Sequence, residues 1–242
     1  MNAKQMKIAP RFSRAVLDKT GCYSFLNFAS LTSFFAERSM EELDYFCDGW
    51  LMCSIVRLLT GVKVDRVSFD YTSIAAEVFN QAGKKGKKIF IVGAEREEIK
   101  IFVKKIALKH NDLNVTGYHD GYFNETDEQS KLVDSIIASG ADLVIAGLGA
   151  GKQERFLLSL KGSGFTGLAF SCGGFIRQEA CANKPYYPVW INKLNLRAFY
   201  RMYKEPHTIP RYIINYPINA SYLVYLVLSN QMEIKFSGEC DG

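Results

Sequence analysis

The chain is short of the residues that hold metals. It has three histidines, and none of its six cysteines (Cys22, Cys47, Cys53, Cys172, Cys181 and Cys240) stands in a C-x-x-C pair, so no zinc pattern emerges. Several of the cysteines sit inside apolar runs, as buried reduced thiols do, and a reducing cytoplasm is the natural inference. No stretch reaches the ~18 uninterrupted apolar residues that a membrane span requires. The N-terminus carries Lys4, Lys7, Arg11 and Arg14 and no continuous apolar run, so it is not expected to act as a signal peptide. Residues 1–20 read instead as a loosely packed basic lead-in. Charge of one sign is also scarce. The formal excess of +5 over 242 residues is too diffuse to argue for nucleic acid, although it suits an anionic ligand or an acidic membrane surface. The densest basic run, Lys84, Lys85, Lys87 and Lys88, flanks Gly86 and reads as a solvated turn. Internal repeats and low-complexity tracts are absent.

What remains is the composition of a folded protein, 48% hydrophobic and 23% charged, long enough for one domain or one domain with an appendage. Strand and helix signals alternate. Expected strands are Tyr23 to Phe28, Asp44 to Cys47, Ile89 to Val92, Asn114 to Tyr118, Leu143 to Ala146 and Leu168 to Cys172. Between them lie expected helices at Phe34 to Leu43, Trp50 to Leu59, Ser73 to Gln81, Glu95 to His110 and Glu125 to Ser139. This order predicts an α/β fold built on a parallel sheet with helices on both faces. From Tyr186 the composition shifts. Trp190 to Leu228 mixes aromatic residues with Arg197, Arg201 and Arg211, then runs through the uncharged stretch Tyr222 to Leu228. Two readings fit it: a membrane-interface segment, or a C-terminal helix packed on the domain. The expected boundaries are a lead-in at 1–20, a catalytic domain at 21–189 and an appendage at 190–242.

The most informative stretch is Ala141 to Phe156, ADLVIAGLGAGKQERF. A buried strand runs into Gly147, Gly149 and Gly151, and Lys152, Gln153 and Glu154 open a helix. Such a turn can point backbone N–H groups at an anion, or it can use glycine for backbone reasons alone. A P-loop is excluded, because Ala146 stands where its first glycine belongs and Gln153 where it needs Ser or Thr. A dinucleotide fingerprint fails as well, since its third glycine would fall on Lys152 and no acidic residue follows at about 20 residues.

Asp48 follows a short apolar run and precedes Gly49, so it is expected at a strand end on the rim that carries Gln153. There it serves as a general base or as an N-cap of the next helix. Asp70 and Asp120 are lesser candidates. The chain has no Asp-x-Asp pair, the device by which many sugar-nucleotide transferases hold a divalent metal. Neutralisation of a diphosphate would therefore fall to arginine or backbone groups.

Six segments carry a resemblance: DGW (Asp48 to Trp50), RVSFD (Arg66 to Asp70), YHDGYF (Tyr118 to Phe123), GLGAGKQERF (Gly147 to Phe156), CGGF (Cys172 to Phe175) and YRMYKEP (Tyr200 to Pro206). In this order and spacing, over roughly residues 22 to 215, the chain resembles the WecG/TagA/CpsF glycosyltransferase family. The resemblance implies a Rossmann-like α/β domain with a helical, membrane-facing C-terminal appendage. It implies an inverting, metal-independent transfer from a UDP-sugar to a polyprenyl-diphosphate-linked saccharide, in bacterial surface polysaccharide synthesis and with no cofactor. The enzyme would work at the inner face of the cytoplasmic membrane, attached peripherally. Carried over by position, the catalytic pair is Asp48 and Arg66. Donor contacts fall on Asn27, Gly93, Gly147, Gly149, Lys152, Gln153 and Glu154, and diphosphate or acceptor contacts on Arg201 and Arg211. The sequence departs from the family pattern at Phe25, Gly151, Arg177 and Arg197-Ala198, which leaves the sugar open. The alternative is a non-catalytic nucleotide-binding module docked to a membrane protein or anionic lipid. Apolar surface in the appendage would equally serve a contact between copies of the chain.

Overall fold

The computed structural model describes residues 3–124, 127–181, 191 and 196–237. Trp190, Cys240, Glu125 and the expected boundary at 189–190 lie outside them. The chain divides into two compact units, Phe12–Ser24 with Ser68–Asn183, and Met1–Arg11 with Phe25–Val67 and Lys184–Gly242. The strand Gly21–Leu26 (β2) begins in the first of these units and ends in the second.

The first unit is a parallel α/β sheet. It contains β4 (Lys88–Gly93), β5 (Asn114–His119), β6 (Leu143–Gly147) and β7 (Leu168–Ser171), in the spatial order β5-β4-β6-β7-β2. Each pairing is parallel, from Ile89 opposite Leu143 to Gly93 opposite Gly147, and from Leu143 opposite Leu168 to Ala146 opposite Ser171. The helices α3 (Ala75–Lys84), α4 (Arg96–Lys109), α5 (Asp127–Ala138), α6 (Lys152–Gly162) and α7 (Phe175–Cys181) alternate with the strands. Ile89, Ile91, Val92, Val144 and Ile145 are fully buried, which is why these strands read as continuous apolar runs with no polar alternation. From β4 the chain crosses to β5 on one side, and then returns to place β6 on the other. The carboxyl ends of β4 and β6 therefore flank a topological switch point, where open α/β sheets leave a crevice for ligands.

The second unit carries the end of β2 with β3 (Asp44–Cys47), β1 (Lys4–Ile8) and β8 (Met232–Phe236), in the order β2-β3-β1-β8. Its helices are α1 (Leu31–Ala36), α2 (Trp50–Thr60), α8 (Arg197–Lys204) and α9 (Tyr216–Leu228). The expected lead-in is thus a strand. Met6 and Ile8 point into the core, and β1 pairs in parallel with β8 from Lys4 opposite Met232 to Ile8 opposite Phe236. Lys4 donates from Nζ to the carbonyls of Phe34, Phe35 and Glu37, closing the last turn of α1 with a cation. The helix expected over Phe34 to Leu43 is correspondingly two pieces. It breaks at Glu37, which is extended (φ −121°, ψ 126°), before a 3₁₀ turn at Arg38–Glu42.

The C-terminal apolar stretch forms α9. One face packs: Leu223 and Leu226 are buried, and Asn219 Nδ2 donates to the Phe28 carbonyl (2.6 Å) and Thr32 Oγ1 (2.8 Å). The other face leaves Ile218, Tyr222, Tyr225 and Leu228 exposed, continuing Ile213 and Ile214 of the preceding π-helical turn Arg211–Asn215. The buried face is the one expected of a helix packed on the domain. No helix among the described residues is long and apolar enough to cross a membrane.

Candidate functional site

The first unit offers a floor of bare backbone at the switch point. A Cβ on Gly93 would meet the Gly147 carbonyl oxygen at 2.3 Å, so no other residue lets the ends of β4 and β6 come this close. Gly121, after β5, packs its Cα face on Leu148, Ala94 and Gly93, and Gly147 faces the Gly173 carbonyl and the Cys172 thiol. Turns from β4, β5, β6 and β7 meet there. Lys152 Nζ donates to the carbonyls of Gly121 (2.9 Å) and Phe123 (3.3 Å) and lies 4.3 Å over the Phe123 ring. Its cation thus holds the HDGYF turn against α6.

Gln153 and Glu154 are buried, at 5% and 4% exposure. Glu154 Oε2 accepts the Gly151 N–H (2.6 Å), and Oε1 accepts Ser24 Oγ–H (2.6 Å) and Gln153 Nε2–H (2.9 Å). Gln153 Oε1 accepts the Gly173 N–H (3.1 Å). Of the N–H groups at the start of α6, which the sequence reads either as an anion site or as a turn built on glycine alone, that of Gly151 is met by the helix's own Glu154 carboxylate, in half of a capping box that Gly151, lacking a side chain, cannot complete. Gly149 and Gly151, both with positive φ (83° and 86°), form the turn.

The second unit places Asp48 directly beyond β3. Its N–H donates to the Leu26 carbonyl (2.7 Å), which sets Asp48 beside the end of β2, and the Val67 N–H donates to the Cys47 carbonyl (2.8 Å). Gly49, with φ 98°, turns the chain into α2 and is that helix's N-cap, with no side-chain cap hydrogen bond. The Asp48 side chain, one-third exposed, faces Arg66, with Nε 3.5 Å from Oδ1. Asn27 opens the way to α1 by an Asx turn, its Oδ1 accepting the N–H groups of Ala29 (3.0 Å) and Ser30 (3.3 Å). The same oxygen receives Arg211 Nη2 (3.3 Å), while Arg211 Nε is buried with no hydrogen-bond partner among the described residues. Arg201 pairs with Glu205 through Nε (3.3 Å).

Tyr216 joins this set and no sequence signal distinguishes it from its aromatic neighbours. Burial pushes its phenol well above the ordinary value, and Tyr212 and the Asp48 charge push the same way, against the nearby Arg211 and Arg201 cations. One carboxylate, two arginines and a neutral phenol therefore act on one another there. Beneath Asp48, the Cys53 thiol donates to the Cys47 carbonyl (3.9 Å); the two neighbouring thiols shift each other, Cys53 downward and Cys47 upward, and burial adds to the rise at Cys47. Cys22, Cys47, Cys53 and Cys172 are buried thiols outside any disulfide. Among the described residues no three His, Cys, Asp or Glu side chains gather as a metal site.

Residues 12–234 match the model of the Glycosyl transferase WecG/TagA/CpsF family. The chain is 35% identical over 232 residues to the UDP-Gal:alpha-D-GlcNAc-diphosphoundecaprenol beta-1,4-galactosyltransferase of Shigella boydii, covering 95% of this chain and 96% of that protein. It is 29% identical over 144 residues to the N-acetylglucosaminyldiphosphoundecaprenol N-acetyl-beta-D-mannosaminyltransferase of Bacillus subtilis (strain 168), covering 57% of this chain and 55% of that protein.

Proposed function

The chain belongs to the WecG/TagA/CpsF glycosyltransferase family, and from that premise we propose that it inverts the anomeric centre of a UDP-sugar while transferring the sugar to a polyprenyl-diphosphate-linked saccharide. The observation that carries the reading is the Asp48–Arg66 pair at the carboxyl end of β3, a base candidate with a cation at 3.5 Å. Asp48 takes the proton of an acceptor hydroxyl as that oxygen bonds to the anomeric carbon. The bond from that carbon to the UDP oxygen breaks, and its electron pair leaves with UDP. Arg66, Arg201 and Arg211 stabilise the charge that grows on the departing diphosphate, work that needs fixed cations where charge develops. The glycine floor at the ends of β4 and β6 holds the nucleotide, since bare backbone admits close approach of a phosphate.

The Shigella boydii relative, named for UDP-Gal and a GlcNAc-diphosphoundecaprenol acceptor, makes UDP-galactose the first donor to test. The expected result is UDP release that depends on a short-chain polyprenyl-diphosphate N-acetylglucosamine, together with a disaccharide product. UDP binding without acceptor-dependent release across a panel of UDP-sugars would leave only the non-catalytic nucleotide-binding module.

The same reading places the protein against a membrane carrying its acceptor. Ile213, Ile214 and Ile218 project from the π-helical turn and α9 with Tyr222 and Tyr225, and an apolar strip edged by tyrosine suits the lipid interface. Ile214→Glu with Ile218→Glu is expected to abolish flotation with anionic liposomes at an unchanged melting temperature, since both side chains are solvent-exposed. Undiminished flotation of that variant would remove α9 from the role.

A further inference from the structure

The hydrogen bonds around Glu154 run in one direction. Ser24 has a single hydroxyl proton, and it is committed to Glu154 Oε1 (2.6 Å), so in its 2.8 Å contact with Ser171 the proton comes from Ser171. Gln153 donates from Nε2 to the same carboxylate oxygen and turns Oε1 the other way, onto the Gly173 N–H. Gly151 donates to Oε2. Donors from β2, from the β6–α6 turn and from Gln153 thus converge on one buried carboxylate, and Gln153 passes the connection on to the β7–α7 turn.

This polarity fixes the Gln153 amide. Reversed, it would set Nε2 against the Gly173 N–H and Oε1 against Glu154 oxygen, two repulsive contacts at side chains that are buried. The charge on Glu154 therefore decides how the turn after β7 is held against the turn after β6. Those two turns enclose a close-packed part of the glycine floor, where a Cβ on Gly147 would stand 2.9 Å from the Gly173 carbonyl oxygen.

We propose that Glu154 is a positioning residue that acts through Gln153 to set the spacing of the β6–α6 and β7–α7 turns, and with it the shape of the nucleotide cradle, without touching the substrate. The inference rests on the glycine floor being the donor site. Gln153 on this account is a bridge between turns, and the start of α6 is already occupied by an internal anion.

The decisive comparison is Glu154→Gln against the swap Gln153→Glu/Glu154→Gln. In the single variant the new amide can satisfy Gly151 only by facing its NH₂ toward Ser24 and the Gln153 amide. The Gln153 amide must then reverse and oppose Gly173. In the swap the new NH₂ meets a carboxylate at position 153, whose second oxygen receives Gly173, while Ser24 turns to accept and donates onward to Ser171. Amide hydrogen exchange read without ligand should rise about tenfold at Gly173 in Glu154→Gln and return toward the wild-type rate in the swap. Titration with UDP should show about a tenfold weaker affinity in the single variant and most of it regained in the swap.

Unchanged exchange at Gly173 in Glu154→Gln would overturn the proposal, as would a lower melting temperature with UDP affinity intact, which marks a helix cap and nothing more. A swap no better than the single variant also overturns it. Where Glu154→Gln does not fold, a swap that folds and binds UDP supports the proposal, and an unfolded swap counts against it. Wild-type protein that binds no UDP refutes the donor-site reading, and exchange at Gly173 still decides the coupling.

Discussion

Asp48→Asn is expected to cut turnover by about 10²–10⁴-fold, the range general-base catalysis supplies, at an unchanged melting temperature. The backbone of Asp48 is what the fold uses: its N–H holds the end of β2 and Gly49 makes the turn into α2. The side chain is partly exposed and faces Arg66. An amide of the same size keeps the volume and the strand end, and loses the proton acceptor together with the charge that faces Arg66. The measurement is acceptor-dependent UDP release, with UDP affinity followed in parallel. A fall in kcat with affinity preserved assigns Asp48 to the chemical step. A variant that keeps most of its turnover removes it from that role.

Arg211→Ala is expected to have the second-largest effect, about 10²–10³-fold in kcat, comparable with loss of one preorganised donor to a developing anion. Arg211 sits on the π-helical turn ahead of α9. One guanidinium nitrogen reaches Asn27 Oδ1, and the buried Nε has no partner among the described residues, an unspent donor in the set that includes Asp48 and Tyr216. A buried donor without a partner costs stability, so its retention fits a group that completes its hydrogen bonding on a ligand. Arg211→Lys should recover little, because an ammonium cannot present the planar fork that engages Asn27 and a phosphate together. Recovery to near wild-type turnover by lysine would reduce Arg211 to a general positive charge.

The parallel strands of the first unit were legible because strands covered on both faces carry unbroken apolar runs, as Ile89 to Val92 and Leu143 to Ala146 do. β1 and β8 were not. Lys4, Gln5 and Lys7 alternate with Met6 and Ile8 in a segment whose charge dominates its composition, and its partner lies at the far end of the chain. Asp48 and the glycine turn stood out by their position just past apolar strands, although a helix cap and a backbone turn account for such residues as well. Glu154 could not be distinguished as a buried group, since a glutamate in the first turn of a helix is ordinarily a solvated one. What makes it otherwise is a pair of serines, one of them 130 residues from it in sequence and 147 residues from the other. Lys152 looked like an anion ligand for the same reason: its carbonyl partners at Gly121 and Phe123 come from another turn.

The pairing of β1 with β8 bears on how the molecule is made. A ribosome releases Ser68–Asn183 as one uninterrupted stretch, enough to assemble β4 to β7 and their helices while synthesis continues. The unit that carries Asp48 is stitched from three separated stretches, and Met232–Phe236, the partner of β1, emerges after the other strands of the described residues. Until then β1 keeps one unpaired edge, a template for association with other nascent chains. Stop codons or frameshifts shortly ahead of Met232 would therefore unsettle the opening strand as much as the closing one.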